Sequence, residues 1–241
     1  MGTLLLRLAG PMQAWDTQSR FSVRHTDREP SKSGVIGLLC AALGKPRVEG
    51  GPDDPGPPLA ALAALRMGVR VDRPGTVRVD YQTAGGTHRR GERYGVVKAD
   101  GSRGETDTSR RYYLADADFL VGLESTDESL LRRLDAALAQ PRWPLYLGRK
   151  AFVPGMPVRL PDQPPLGPGL TSLPLEEALE RYPWPERPVR PDAPLRLVLE
   201  VEVSEFADAE VRADQPLSFA ERQFALRYVR TTWLWPKNKE G

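Results

Sequence analysis

Three basic motifs and two histidines hold most of the chemistry that this sequence could perform. Pro30-Ser31-Lys32-Ser33-Gly34 stands immediately before an apolar run. The first turn of a helix leaves backbone N–H groups unpaired and carries partial positive charge, so a helix starting here would attract phosphate. Lys32 adds a full charge, and Ser31 or Ser33 supplies a capping hydroxyl; the plainer alternative is an ordinary N-cap with a solvated lysine. The motif is not a nucleotide-hydrolysing P-loop. That pattern needs glycine directly before the lysine and again five residues earlier, where this chain has Ser31 and Thr26.

Gly148-Arg149-Lys150 places two adjacent cations on a glycine turn. Such a pair grips consecutive phosphates, and arginine also stacks on bases; a solvated surface pair is the alternative. The third basic segment, residues 84–111, includes Arg89, Arg90, Arg93, Lys98, Arg103 and Arg110 among glycines and threonines. A loop of that length is functional or disordered, and its composition suits a long hairpin turning near Asp100-Gly101. Upstream, Gln13, Trp15, Arg20 and Arg24 crowd a polar loop in which Trp15 either stacks a base or braces the loop.

Cleavage of RNA without metal needs one group to deprotonate a 2′-hydroxyl and another to protonate the leaving oxygen. His25, His88 and Lys32 are the candidates, but their spacing outlines no convergent set. Metal-dependent cleavage needs clustered carboxylates, and Asp107, Asp116 and Asp118 are the nearest approach. No metal or other cofactor is expected.

The elements that must position these residues follow from periodicity. Residues 3–9 read as a buried strand ending at Gly10-Pro11, and a helix runs from Ser31 or Ser33 to Gly44, a fitting C′ glycine. A short helix over 59–66 and strands over 67–72 and 76–83 come next, then a strand over 112–124. Ser125-Thr126-Asp127-Glu128 fits a capping box before the stripe Leu130, Leu131, Leu134, Leu138, and 145–147 reads as a further strand. The order is β-α-β-β-α-β, the split βαβ or ferredoxin-like (RRM-like) pattern, an α+β fold. Residues 1–160 form that domain, with the insertion about 84–111. Residues 161–241 form a Pro-rich connection, with a helix over 175–182, and a β-rich C-terminal appendage.

Composition narrows the function classes. The 241 residues, 40% of them hydrophobic, suffice for one sizeable core. With 34 Lys+Arg against 32 Asp+Glu the net charge is +2, too little for a free-standing DNA-coating protein but compatible with a local basic groove. The lone Cys40 excludes an internal disulfide and reads as a buried thiol. With no signal-peptide pattern at the N-terminus and no run of about 20 apolar residues, a cytoplasmic protein without membrane contact is expected.

Four stretches, in order, resemble one family: Leu6 to Trp15; Arg24-His25-Thr26 continuing through Pro30 to Gly44; Arg111 to Phe119; and Leu147-Gly148-Arg149-Lys150 with Pro154. Together they resemble the CasD family, the subunit of type I-E CRISPR Cascade complexes that holds the 5′ handle of crRNA. Departures are small: Asp16 stands where the family pattern has glycine, and Ser31 where it often has threonine. The resemblance implies a ferredoxin-like fold with a projecting hairpin, the thumb. It also implies crRNA as ligand, the CasC backbone and CasA large subunits as neighbours, and target DNA as an indirect partner. Precursor RNA is cut by another subunit in that family, so a non-catalytic role is expected here, with metal-independent endoribonuclease as the alternative. The implied RNA-binding residues are Gln13, Trp15, Arg20, Arg24, Lys32, Ser33, Gly34, Arg89, Arg90, Arg149 and Lys150. A protein-interaction module without RNA contact would leave the three basic motifs unexplained.

Overall fold

The computed structural model describes residues 1–17, 22–51, 54, 56–85, 96–97, 106–184, 193–202 and 208–235. Two β-sheets organise them. Strand β1 (Gly2–Ala9) is buried on both faces. Leu4, Leu6 and Leu8 enter one core, and Leu5 enters another on the opposite side of the sheet, as alternation along a strand requires. Strands β2 (Met12–Gln13) and β3 (Val23–Arg24) follow, then helix α1 (Lys32–Leu43), short helix α2 (Leu59–Ala63), and strands β4 (Arg66–Arg73), β5 (Thr76–Gly85), β6 (Thr106–Ala115) and β7 (Asp118–Ser125). Helix α3 (Glu128–Ala139), β8 (Leu170–Thr171), α4 (Leu175–Arg181), β9 (Leu195–Val201), β10 (Glu210–Ser218) and β11 (Gln223–Leu234) complete the chain.

The larger sheet has the order β10-β11-β9-β4-β7-β1-β8, and every neighbouring pair is antiparallel. Val35, Ile36 and Leu39 of α1 and Leu130, Leu131 and Leu134 of α3 cover one face. Leu175, Ala178 and Leu179 of α4 cover the other. The carbonyls of Leu179, Tyr182 and Pro183, at the end of α4, accept hydrogen bonds from the fully buried Arg70, which is itself paired with Asp72. The smaller sheet runs β2-β6-β3, with β5 paired to β6 over Thr76–Gly85. These two strands are the base of the expected hairpin; its tip, with His88, Arg89 and Arg90, lies outside the described residues.

The fold is α+β, and several local expectations are corrected. Residues 112–124 are not one strand: the chain turns at Asp116, where φ is 57°, and β6 and β7 enter different sheets. Asp116 donates its N–H to Pro11 O (3.2 Å), and Ala117 O accepts from Gln13 Nε2 (2.8 Å), so the turn is held by the segment after β1. Helix α3 is capped by Asp127, whose Oδ1 accepts from Leu130 N at 3.0 Å, while Ser125 Oγ receives the Asp127 N–H. The segment 145–147 is a docked turn rather than a strand. Leu147 accepts from Ala14 N (3.1 Å) and donates to Phe152 O (2.7 Å), and the place beside β1 belongs to β8. The C-terminal strands extend the large sheet through β9 against β4, so hydrogen bonding is continuous across the boundary expected near residue 160.

Candidate nucleic-acid interface

The three basic motifs have different fates. Lys32 begins α1 as expected, but its side chain is 1% exposed. Its Nζ lies 2.8 and 2.9 Å from the Glu200 oxygens and 3.4 Å from Gln215 Oε1. Its backbone N–H donates to Asp214 Oδ2 at 2.7 Å, and Asp214 also holds Arg227 at 2.5 and 2.9 Å. Burial works against the Asp214 carboxylate, yet Arg227 and the Lys32 N–H outweigh it and hold it below its usual range. Burial pulls the Lys32 ammonium below its usual value despite Glu200. The protein's own carboxylates therefore occupy the positive end of α1, and the expected phosphate contact at Lys32 is corrected to an internal clamp. Ser31 makes no side-chain cap; with Ser33 and Gly34 it belongs to this packed helix start. Glycine is required at 34 because a Cβ there would lie 2.9 Å from the Trp15 ring.

Gln13 and Trp15 are also internal. Gln13 Nε2 donates to Leu8 O (2.9 Å) and Ala117 O (2.8 Å), while its Oε1 accepts from Trp15 Nε1 (3.1 Å). Trp15 is 1% exposed, and its backbone N–H donates to Thr26 Oγ1 at 3.0 Å. The expected RNA contacts at Gln13 and Trp15 are corrected for the same reason: their polar atoms are engaged and the amide and ring are out of reach. Trp15 braces the loop.

The second motif is different. Gly148, with φ at 90°, lies so close to Ala14 that a Cβ would fall 1.7 Å from its carbonyl oxygen. That close approach seats Arg149 beside β3. Arg149 Nη2 donates to Arg24 O (3.3 Å) and His25 O (3.1 Å), and its guanidinium carbon lies 5.6 Å from the centre of the Phe152 ring. Its Nη1 is buried and has no hydrogen-bond partner. Because β3 runs parallel to β6 with Arg24 opposite Arg111, both arginines sit on the Arg149 side. Burial and then Arg111, with Arg24 adding to it, pull the Arg149 guanidinium below its usual value; Asp16 and Asp80 offset part of this. No ion pair ties Arg24, Arg111 or Arg149 to a carboxylate among the described residues. Arg24 and Lys150 are exposed. The result is a group of charge-bearing donors suited to an anion such as a phosphodiester.

Arg111 was not legible as a site residue, since its role depends on the parallel β3–β6 pairing. Arg20, Arg89 and Arg90 lie outside the described residues. Of the candidate catalytic groups, Lys32 is clamped and His25 stacks on Tyr112 with centroids 5.5 Å apart. The carboxylates do not converge on one strand face: Asp118 receives Arg7 at 3.1 and 2.6 Å, while Asp116 occupies the turn.

A family model described as CRISPR-associated protein (Cas_Cas5) matches residues 3–230. The CRISPR system Cascade subunit CasD of Escherichia coli (strain K12) is 36% identical over 158 residues, covering 61% of this chain. The match spans 65% of that relative's length, just under two thirds. Among solved structures, one described as a crystal structure of a Cas protein is 43% identical, covers 97% of this chain and 95% of its own, and has a TM-score of 0.70. A chain of a CRISPR RNA-guided surveillance complex is 35% identical, covers 98% and 90%, and has a TM-score of 0.76.

Proposed function

The chain belongs to the Cas5 family of CRISPR-associated proteins, and from that premise we propose that it is a non-catalytic subunit of a Cascade-type surveillance complex. In this reading it holds the 5′ handle of crRNA, contacts backbone and large subunits of the CasC and CasA kinds, and meets target DNA only through the guide. Likeness to a CasD subunit and to a surveillance-complex chain supports that assignment. The order β8-β1-β7-β4, with α1 leading from β1 to β4 and α3 following β7, supports a ferredoxin-like reading of that half of the sheet.

The observation that carries the RNA reading is the Arg24–Arg111–Arg149 group, three cations gathered with no ion-paired carboxylate among the described residues. Phosphate contacts of this kind give affinity and register, while base contacts give specificity. Commitment of Lys32 to Glu200 supports capture over cleavage, because a buried, ion-paired lysine is poorly placed to move protons on RNA.

The test incubates the full chain, alone and within its complex, with end-labelled precursor repeat RNA in EDTA. Intact RNA should be retained in preference to a scrambled sequence. If the three arginines meet three phosphates, they contribute roughly −2 to the log–log salt slope. Specific cleavage at the repeat would overturn the non-catalytic assignment, and a salt slope near zero would overturn the arginine site.

A further inference from the structure

The small sheet has a second face. Arg24, at the end of β3, lies on the arginine side, and His25, the residue after the strand, turns to the other side with Tyr112. There the His25 ring lies on Tyr112, 5.5 Å between centroids and 14° between planes. Tyr112 is half-buried and faces Val79 of β5 across the hairpin, while His25 is exposed. The ring face turned away from Tyr112 is therefore the one open to solvent. Val79 and Tyr81 on the same hairpin face are 53% and 64% exposed, extending an apolar shelf beside the stack. The backbone under His25 is fixed by Arg149, whose Nη2 holds its carbonyl at 3.1 Å.

We propose that His25, backed by Tyr112, is a stacking site for one unpaired nucleobase of an RNA strand whose phosphates lie on Arg24, Arg111 and Arg149; this rests on the RNA-binding reading above. Single-stranded RNA is recognised by splaying bases onto aromatic side chains, histidine included, and such stacking tolerates any base because each has a π-face. A histidine already stacked on a tyrosine loses little freedom when a third ring joins, so the platform is preorganised. Arg149 joins the two faces: its guanidinium fixes the stacking residue's backbone and also belongs to the arginine group.

The experiment measures binding of the full chain to RNA octamers from the 5′ end of the processed repeat, with a single abasic ribose placed at each position in turn. His25→Ala should bind the intact octamer roughly tenfold more weakly, with an unchanged salt slope, and His25→Phe should restore most of the loss. One abasic position should weaken the wild type by a similar factor and leave His25→Ala no weaker than before. The stacking site is overturned if His25→Ala binds like wild type, if no abasic position is masked by it, or if it lowers capture of protein subunits with RNA affinity intact. Arg111→Ala/Arg149→Ala separates the two readings. Should that variant lose affinity while His25→Ala does not, only the stacking site falls; should neither lose affinity, the RNA-binding reading falls with it.

Discussion

Two basic clusters of this protein look alike as sequence and differ in what surrounds them. At the start of α1, Lys32 meets Glu200, and Asp214 meets both the helix end and Arg227, so charge is matched inside the fold. Beside β3, Arg24, Arg111 and Arg149 face one another with only partial relief from Asp16 and Asp80. A cation buried against a carboxylate serves stability; cations gathered without a carboxylate contact retain an unmet electrostatic demand. The family likeness drew attention to both clusters, but the geometry favours only the second for RNA.

The sharpest way to break this division is Lys32→Ala. Removing one partner of a buried pair strips the other of its main counter-charge; Glu200 keeps only the Met67 N–H and a longer approach from Arg227 at 3.9 Å, so unfolding in denaturant should show a loss of about 3 kcal/mol. RNA affinity of the folded fraction should stay unchanged. A stable Lys32→Ala protein that no longer binds RNA would reverse the assignment. Arg111→Ala/Arg149→Ala should do the opposite. Each lost charge-assisted contact is worth about 1.5 kcal/mol, or roughly tenfold in affinity, and the salt slope should flatten by about 0.7 per phosphate. Titration of labelled RNA at several salt concentrations reads both quantities.

That division was only half visible in the sequence. Helix α1, its glycine stop at Gly44, β1, β4 and the leucine stripe of α3 followed from periodicity and capping chemistry, because their signals are local. The partners of Lys32 lie 168 and 182 residues away, on β9 and β10, and no spacing rule reaches that far. The break at Asp116 was hidden because 112–124 reads as one apolar alternation, while the turn depends on Gln13 and Pro11. Arg149 was legible through its glycine turn, whereas Arg111 needed the parallel β3–β6 register. Gln13 and Trp15 drew attention by type, yet their mutual hydrogen bond is what removes them from any ligand.

Acid should act on the first cluster and on the buried Glu29, which pairs with Arg196 and Arg212. Asp214 and Glu29 are both held below their usual ranges; burial opposes this, but Arg227 for Asp214, and Arg212 and Arg196 for Glu29, prevail. The folded state therefore binds fewer protons than the unfolded state, where these groups titrate near 3.8 and 4.5. Their stabilisation is complete above those values and disappears as pH falls through the lower folded ones. Denaturation at pH 7 and pH 3 should show the wild type losing stability in acid. Asp214→Asn and Glu29→Gln should be less stable at pH 7 and less dependent on pH.

The smallest expected effect is a null that locates the clamp. Cys40 lies on α1 among core residues, and burial pushes its thiol up to about 12. Only the thiolate alkylates readily, so iodoacetamide at pH 8 should leave the native protein unmodified over hours, by intact mass. Arg149→Ala should leave that protection in place, because the arginine cluster holds the small sheet rather than α1. Lys32→Ala should lose it in proportion to its lowered stability, since releasing Glu200 loosens the helix start on which Cys40's burial depends. Loss of protection in Arg149→Ala as large as in Lys32→Ala would mean that the clusters are mechanically coupled, and the contrast between a folding clamp and a ligand site would then describe one unit instead of two.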